Sequence, residues 1–257
     1  MSGVSEKYIF SRLSIRSRLL RIAAALIAFA GMVISFVFFI RYEVMIFLIC
    51  GIVCVLLTAL SIASLFRKAE RHELMISLCL VIVVVMVVVL SIRFPWEISS
   101  NHLHSYKKNM KYLSEKHFST LFFPQILPED VSKYKMEFYP DTFGEESYLC
   151  VSYNCSKDAL DTYESEAQKF SVVSPLSLEE AMSEDLDEKV EEQIAESLGV
   201  ETEELVFQLK FAFPKDIEKH SNARIYILAC ENDWSHPKTE AVMIDTDTGW
   251  VCFSKLF

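Results

Sequence analysis

Three long uncharged apolar runs occupy most of the first 92 residues, and they constrain the fold more than any other feature. They cover Ile22–Ile40, Val44–Phe66 and Leu74–Ile92. A bilayer core needs about 20 consecutive apolar residues per helix. The third run is rich in valine, which favours a strand in water, but it is too long for a normal strand. In lipid only a helix satisfies its backbone. The sequence therefore predicts a transmembrane region of three helices over residues 22–96.

Charge divides the chain sharply and predicts its orientation. Residues 1–73 carry nine Lys and Arg against four Asp and Glu, a net +5, whereas residues 93–257 carry 16 against 31, a net −15. Short loops rich in Lys and Arg stay in the cytoplasm. The basic segments are residues 1–21 and the loop between the second and third runs, so three spans put both on one side. We expect a multi-pass membrane protein with a cytoplasmic arm, residues 1–21, and a domain outside the cytoplasm, residues 97–257.

The first run has an alternative interpretation as a cleaved signal peptide, with small residues between Ala23 and Ala30. Cleavage would leave two spans. We favour a retained helix, because the preceding basic region is long and the apolar run extends past a usual signal-peptide core. None of the three runs contains Asp, Glu, Lys, Arg, His, Asn or Gln. Pumps, channels and transporters normally need ionisable groups inside the membrane, so these classes are disfavoured.

Apolar periodicity predicts that the C-terminal domain is α+β, with a mainly antiparallel sheet and helices on one face. Strict alternation predicts strands, whereas spacing by three and four predicts helices. The most regular alternation is Leu205–Phe213, which puts five apolar residues on one face. The predicted strands are 134–139, 147–153, 205–213, 224–230, 239–244 and 249–255, and the predicted helices end near Lys116, Phe170 and Gly199.

The last of these helices, Ser177–Gly199, is strongly acidic. Twelve carboxylates and one lysine lie between Glu179 and Glu204. Ser177 and Glu180 fit a capping box, and the glycine suits the position after a helix. Such a charge run is usually a solvated face, but it also makes residues 177–199 a possible contact for a protein partner. The expected partners are therefore the lipid bilayer and a protein. The negative charge of the domain disfavours nucleic acid.

Four cysteines lie in the C-terminal domain. Outside the cytoplasm they permit two disulfides in three connectivities, and they also suit the role of free, buried apolar residues. Both interpretations remain open, because the compartment allows disulfides but the spacing does not require them. The four are Cys150, Cys155, Cys230 and Cys252.

Metal binding has little support in the sequence. The segment Asp245–Gly249 (DTDTG) resembles the start of an EF-hand loop, but its glycine is fifth rather than sixth and no glutamate follows. A hairpin turn explains it better. His102, His104 and His117 lie near one predicted helix, yet the first two do not share a helix face. We expect neither a metal nor another cofactor.

No catalytic motif is present, so no catalytic residue is assigned and an enzyme is the less favoured class. The leading hypothesis is a membrane protein that displays an acidic binding or accessory module outside the cytoplasm. The alternative is a membrane-bound hydrolase of unrecognised type in the same compartment. Its simplest form requires four titratable residues to converge in a cleft. They are His220, His236, Asp245 and Asp247.

Overall fold

The chain divides into two compact units, Met1–Pro95 and Trp96–Phe257. A computed structural model describes residues 3–65, 71–140, 147–183, 188–231 and 238–257. Residues 141–146, between the predicted strands 134–139 and 147–153, and most of the basic loop after the second apolar run therefore lie outside the described residues.

Three helices build the first unit: α1 (Gly3–Tyr42), α2 (Met45–Leu65) and α3 (Arg71–Arg93). The predicted N-terminal arm is the first part of α1. The helices α1 and α2 form a hairpin and pack closely against each other. Gly51 allows this approach, since a Cβ atom there would lie 3.2 Å from the Phe36 ring. Small residues let helices approach in this way in lipid.

Two helices are long and apolar enough to cross a bilayer, Leu19–Tyr42 and Met45–Ala63. The sequence predicted three. The third run does form a helix, α3, but its described apolar part, Cys79–Leu90, falls short of a span. Only 22% and 33% of the most apolar windows of the two longer helices are buried. These two helices therefore expose most of their apolar side chains, unlike the core helix of a soluble protein.

An antiparallel sheet of seven strands forms the second unit, which confirms the predicted α+β class. The strand order is β1-β2-β3-β7-β6-β5-β4. Two short strands, β1 and β4, were not predicted, because three and two residues are too few to show alternation. The strands are β1 (Ile98–Ser100), β2 (Ser132–Tyr139), β3 (Tyr148–Asn154), β4 (Leu176–Ser177), β5 (Arg224–Glu231), β6 (Lys238–Asp245) and β7 (Trp250–Leu256).

Helices cover both faces of this sheet, so the expectation of helices on one face is wrong. The helices are α4 (Tyr106–Glu115), α5 (Lys157–Phe170), α6 (Leu178–Met182), α7 (Glu188–Leu198) and α8 (Thr202–Ala212). Phe253 and Ser254 are consecutive in β7, so they point to opposite faces. Tyr163 of α5 packs edge-on against Phe253 at 5.3 Å, whereas Ser254 donates a hydrogen bond to the carbonyl of Ala212 in α8.

The predicted strand over 205–213 is the clearest error, because this segment is helix α8. Leu205, Leu209 and Ala212 are fully buried at helical spacing, whereas Phe207 and Phe211 are 41% and 50% exposed. Its five alternating apolar residues also satisfy an i, i+4 pattern, and tertiary packing selects the helix. Leu205 and Leu209 belong to the core between α6–α8 and the sheet.

The predicted long acidic helix over residues 177–199 is two shorter helices in the structure. The capping box forms as predicted, with Ser177 and Glu180 bonding each other's backbone N–H groups. α6 nevertheless ends after one turn at Ser183, whose backbone is extended. A second helix, α7, resumes at Glu188 and ends before Gly199, which has the predicted left-handed conformation at φ +66°. The four-residue apolar spacing drifts around a single helix, which is consistent with this interruption.

Candidate functional site

A cavity of about 360 Å³ lies at one end of the sheet, on the face that α8 covers. Strands β2, β3 and β7 form its floor. The segment after α8 and the β6–β7 turn form its walls. Its volume falls in the range that suits a small molecule. The lining residues are Lys133, Lys135, Ser152, Asn154, Asp216, Lys219, His220, Thr248 and Trp250.

A β-bulge brings Lys133 to the cavity. The register of β2 against β3 shifts between Ser132 and Lys135. Lys133 has a φ of +51°, in the left-handed region that costs a residue other than glycine about 1 kcal/mol or more. Bulges with such conformations are enriched beside functional sites, where they redirect a side chain. Lys133 and Lys135, two residues apart in β2, both line the cavity.

Packing and hydrogen bonding fix the ring of His220. His220 follows the 3-10 helix Ile217–Lys219. The carbonyl of Pro214 accepts a hydrogen bond from the backbone N–H of Ile217 at the start of this helix. The imidazole lies flat on the Trp250 indole, with ring centroids 3.9 Å apart and planes 7° apart. Its Nδ1 lies 3.1 Å from Oδ2 of Asp245. An ionised carboxylate only accepts, so Nδ1 carries the proton, and in the neutral ring Nε2 is the unprotonated nitrogen.

Asp245 is the buried anchor of this arrangement, with 2% exposure. Its Oδ1 accepts the backbone N–H groups of Asp247 and Thr248 in the β6–β7 turn, and its Oδ2 accepts the Thr248 hydroxyl at 2.7 Å. Burial raises the pKa of Asp245, but the hydrogen bonds from Thr248, His220 and the turn outweigh it and lower the pKa overall. The carboxylate is therefore ionised at neutral pH.

The cavity is basic within an acidic domain. Lys135 lies 3.3 Å from Glu137 and 3.8 Å from Asp216. Burial lowers the pKa of Lys135, and these two carboxylates reverse the effect and raise it. Within the described part of the chain, Lys133 and Lys219 form no ion pair. The lining thus carries three lysines and one carboxylate, while the carboxyl groups of Glu137 and Asp245 contact lining residues from behind.

This combination can hold an anion. Two lysines without a carboxylate partner supply charge, and Ser152 and Asn154 add side-chain polar groups on the floor. The oriented imidazole adds either a donor, when protonated, or an acceptor at Nε2. Low-dielectric walls around like charges focus the field on a ligand of opposite sign.

The structure brings together two of the four residues of the hydrolase hypothesis, His220 and Asp245. Asp247 instead accepts a hydrogen bond from Asn222 at 2.8 Å, outside the cavity lining. His236 lies outside the described residues. Sequence reasoning missed all three lysines and Trp250. The lysines come from a strand and a distant loop, and no local spacing joins them.

The metal hypotheses find no support among the described residues, where no group of three His, Cys, Asp or Glu could hold an ion. The DTDTG segment forms the hairpin turn between β6 and β7, with Gly249 at φ +72°, as predicted. The Asp245 carboxylate is occupied by the turn itself. His102 and His104 lie in ring contact at 5.5 Å, and both are exposed.

Comparison with known proteins identifies no relative: no protein-family profile, no curated protein and no solved structure matches the chain.

Proposed function

We propose that this chain is an integral membrane protein whose C-terminal domain, outside the cytoplasm, binds a small anion through a phosphate or carboxylate group. The observation that carries the proposal is the cavity in which His220, oriented by Asp245 and Trp250, lies with two lysines that have no carboxylate partner among the described residues.

Membrane insertion is supported by the exposed apolar side chains of α1 and α2, because side chains of this kind require an apolar environment. The basic loops support an orientation with the N-terminus in the cytoplasm. The third span, the multi-pass topology and a protein partner at residues 177–199 belong to the same proposal.

Charge contrast supports an anionic ligand over a neutral or cationic one. The region 93–257 has a net charge of −15, which repels anions at long range. Charges further away than a Debye length of about 8 Å are screened at physiological ionic strength. Within that range, Lys133 and Lys219 are the lining cations that pair with no carboxylate of the described residues, so they are the groups that would attract an anion. We expect binding that weakens with salt.

The full-length protein in detergent micelles tests this proposal. Trp96→Phe and Trp234→Phe leave Trp250 as the reporter, since the sequence has three tryptophans. Titration with inorganic phosphate, and separately with citrate, should give a saturable change in its fluorescence. Lys133→Ala should weaken binding about tenfold, because the loss of one charged contact costs roughly 1.4 kcal/mol, which corresponds to a factor of about ten in Kd.

Lys157→Ala is the matched control, because this exposed lysine begins α5 on the opposite face of the sheet. It removes the same charge and should leave the titration unchanged. Equal weakening by both substitutions would show a general charge effect and contradict a site. A reporter that responds to neither anion would also contradict the proposal.

Hydrolysis is the second candidate function, and the His220–Asp245 pair is the observation that favours it. A carboxylate that orients an imidazole is the arrangement by which histidine acts as a general base. A water molecule next to Nε2 would be the nucleophile. Turnover of p-nitrophenyl phosphate or p-nitrophenyl acetate that is lost in His220→Gln and kept in His102→Gln would support it. Stoichiometric binding without turnover would support the binding function alone.

A further inference from the structure

Two buried thiols meet at the centre of the sheet. Cys150 lies in β3 and Cys252 in the neighbouring strand β7. Cys252 pairs directly with Ser152, two residues from Cys150 along the strand, so both side chains point to one face. Their Sγ atoms are 3.1 Å apart, and the residues are 2% and 0% exposed.

The other two cysteines of the domain have different surroundings. The Cys230 thiol donates to Gln208 at 3.3 Å and lies near the Thr239 hydroxyl. Cys155 follows the end of β3, half-buried, where its backbone N–H bonds the carbonyl of Gly249. Among the pairs that these four cysteines could form, the geometry thus favours Cys150 with Cys252.

We propose that Cys150 and Cys252 form a disulfide that joins β3 to β7 covalently when the chain folds in the presence of a disulfide-class oxidant. Cys150 and Cys252 are diagonal neighbours on adjacent strands, which lie further apart than directly opposed residues, so β3 and β7 must shift locally for the sulfur atoms to close by about 1 Å to the bonded distance of about 2.05 Å. Formation during folding follows from burial, because an oxidant does not reach this pair in the folded domain. Burial, and then the neighbouring Cys150 thiol, raise the pKa of Cys252, which makes the Cys252 thiol a poor nucleophile in the folded domain.

The oxidation balances by thiol–disulfide exchange. The thiolate of one cysteine attacks an oxidant disulfide, such as oxidised glutathione, which gives a mixed disulfide and releases one glutathione thiolate. The second cysteine attacks the protein sulfur of that mixed disulfide and displaces the second glutathione. The two protons from the cysteines end on the two glutathione thiols. The pair loses two electrons and the oxidant gains them.

The bond would join two of the strands that form the cavity floor. Ser152 and Asn154 of β3 and Trp250 of β7 all line the cavity, on the same face as the thiols. In the proposed location outside the cytoplasm the bridge would form, whereas in a reducing compartment the pair would stay as thiols. Only this statement about the compartment rests on the proposed function.

Cell-free synthesis of the full-length chain into lipid nanodiscs tests the chemistry without assuming an orientation. One sample contains excess dithiothreitol and the other a glutathione couple rich in the oxidised form. Both are denatured in detergent with N-ethylmaleimide and digested for mass spectrometry. We expect the oxidised sample to give a peptide pair linked through Cys150 and Cys252, two hydrogens lighter than the thiols. Cys155 and Cys230 should be alkylated in both samples.

Thermal unfolding provides a second measurement. A disulfide that closes a long loop should raise the Tm of the oxidised sample by about 5–15 °C. Cys150→Ser should abolish this difference, whereas Cys155→Ser should keep it. Alkylation of both Cys150 and Cys252 in the oxidised sample, or a link from either one to another cysteine, would overturn the proposal. Neither readout involves anion binding, so failure here is distinct from failure of the proposed function.

Discussion

A lysine in a backbone conformation that favours glycine is the most unusual single residue of the cavity. Lys133→Gly should relieve the cost of the left-handed backbone, whereas Lys133→Ala keeps it. We expect the glycine variant to be more stable than the alanine variant by about 1 kcal/mol in chemical unfolding. Both variants should lose the same affinity for phosphate. If the alanine variant is the more stable one, the bulge does not hold residue 133 at positive φ.

Asp245 links the stability of the domain to pH. Its pKa is lowered in the folded state, so its contribution is present above the unfolded value of 3.8 and is lost as the pH falls through the folded value. Asp245→Asn places an amide nitrogen opposite the donors of His220 and Thr248. It should reduce the free energy of unfolding by about 1–3 kcal/mol at pH 7.

This deficit should shrink as the pH falls below the unfolded value of 3.8 and through the lower folded pKa, where the wild-type carboxylate takes up a proton. Asp247→Asn is the control, because the Asp247 side chain is exposed and accepts its hydrogen bond from Asn222 at the surface. A deficit that is constant with pH would show that the amide disturbs packing rather than the charge.

The residues of the site were only partly predictable. Asp245 and His220 were candidates because they are titratable, and a tight turn after a predicted strand fixes the first of them. The cavity could not be predicted. It depends on a bulge in β2 and on the path of the chain after α8, both of which result from tertiary packing rather than from local pattern.

At the scale of elements, α8 offers a direct test of helix against strand. In a strand, residues 207, 209 and 211 would share one buried face, and truncating any of them would cost a similar amount. In α8, Leu209 is buried and Phe211 is half exposed. Leu209→Ala should cost about 2–5 kcal/mol of unfolding free energy, and Phe211→Ala less than about 1 kcal/mol. If both substitutions reduce the free energy of unfolding in urea by a similar amount, the segment is a strand rather than a helix.

Other elements show why apolar periodicity predicted some strands correctly but not the helix α8. Strand β2 could be recognised because its short run, which Pro140 follows, alternates apolar and polar residues, and β7 could be recognised because the DTDTG turn precedes it. The α8 segment has apolar residues at 205, 206, 207, 209, 211, 212 and 213, and this set fits both periods. The hydrogen bonds of the buried Gln208 side chain favour the helix. Its amide oxygen accepts from the Thr239 hydroxyl, and its amide nitrogen donates to the carbonyl of Glu231. Those partners belong to β6 and β5, and their proximity is not visible in the sequence.

For the whole molecule, charge and hydropathy divided the sequence between two kinds of environment. Apolar content predicted helices correctly for all three runs, because a helix satisfies its own backbone. It predicted three spans, whereas two helices are long and apolar enough among the described residues, since the described apolar part of α3 is shorter than the run in the sequence. Whether two or three helices cross the bilayer determines the side on which the C-terminal domain lies.

A topology map with a tag at each end of the chain therefore tests the number of spans and the side on which the C-terminal domain lies. Three spans place the two tags on opposite sides, and two spans place them on the same side. We expect antibody to reach a tag after Phe257 in intact cells, and to reach a tag before Met1 only after permeabilisation. Permeabilised cells, in which both tags react, are the control for tag integrity.

Each other outcome has a separate meaning. If neither tag reacts until the cells are permeabilised, the C-terminal domain is cytoplasmic. Its Cys150–Cys252 pair would then remain reduced in the cell even if it oxidises in nanodiscs. If the N-terminal tag is absent from the mature protein, α1 is a cleaved signal sequence. In that case α2 and α3 would be the remaining spans, and the basic loop between them would set the orientation alone.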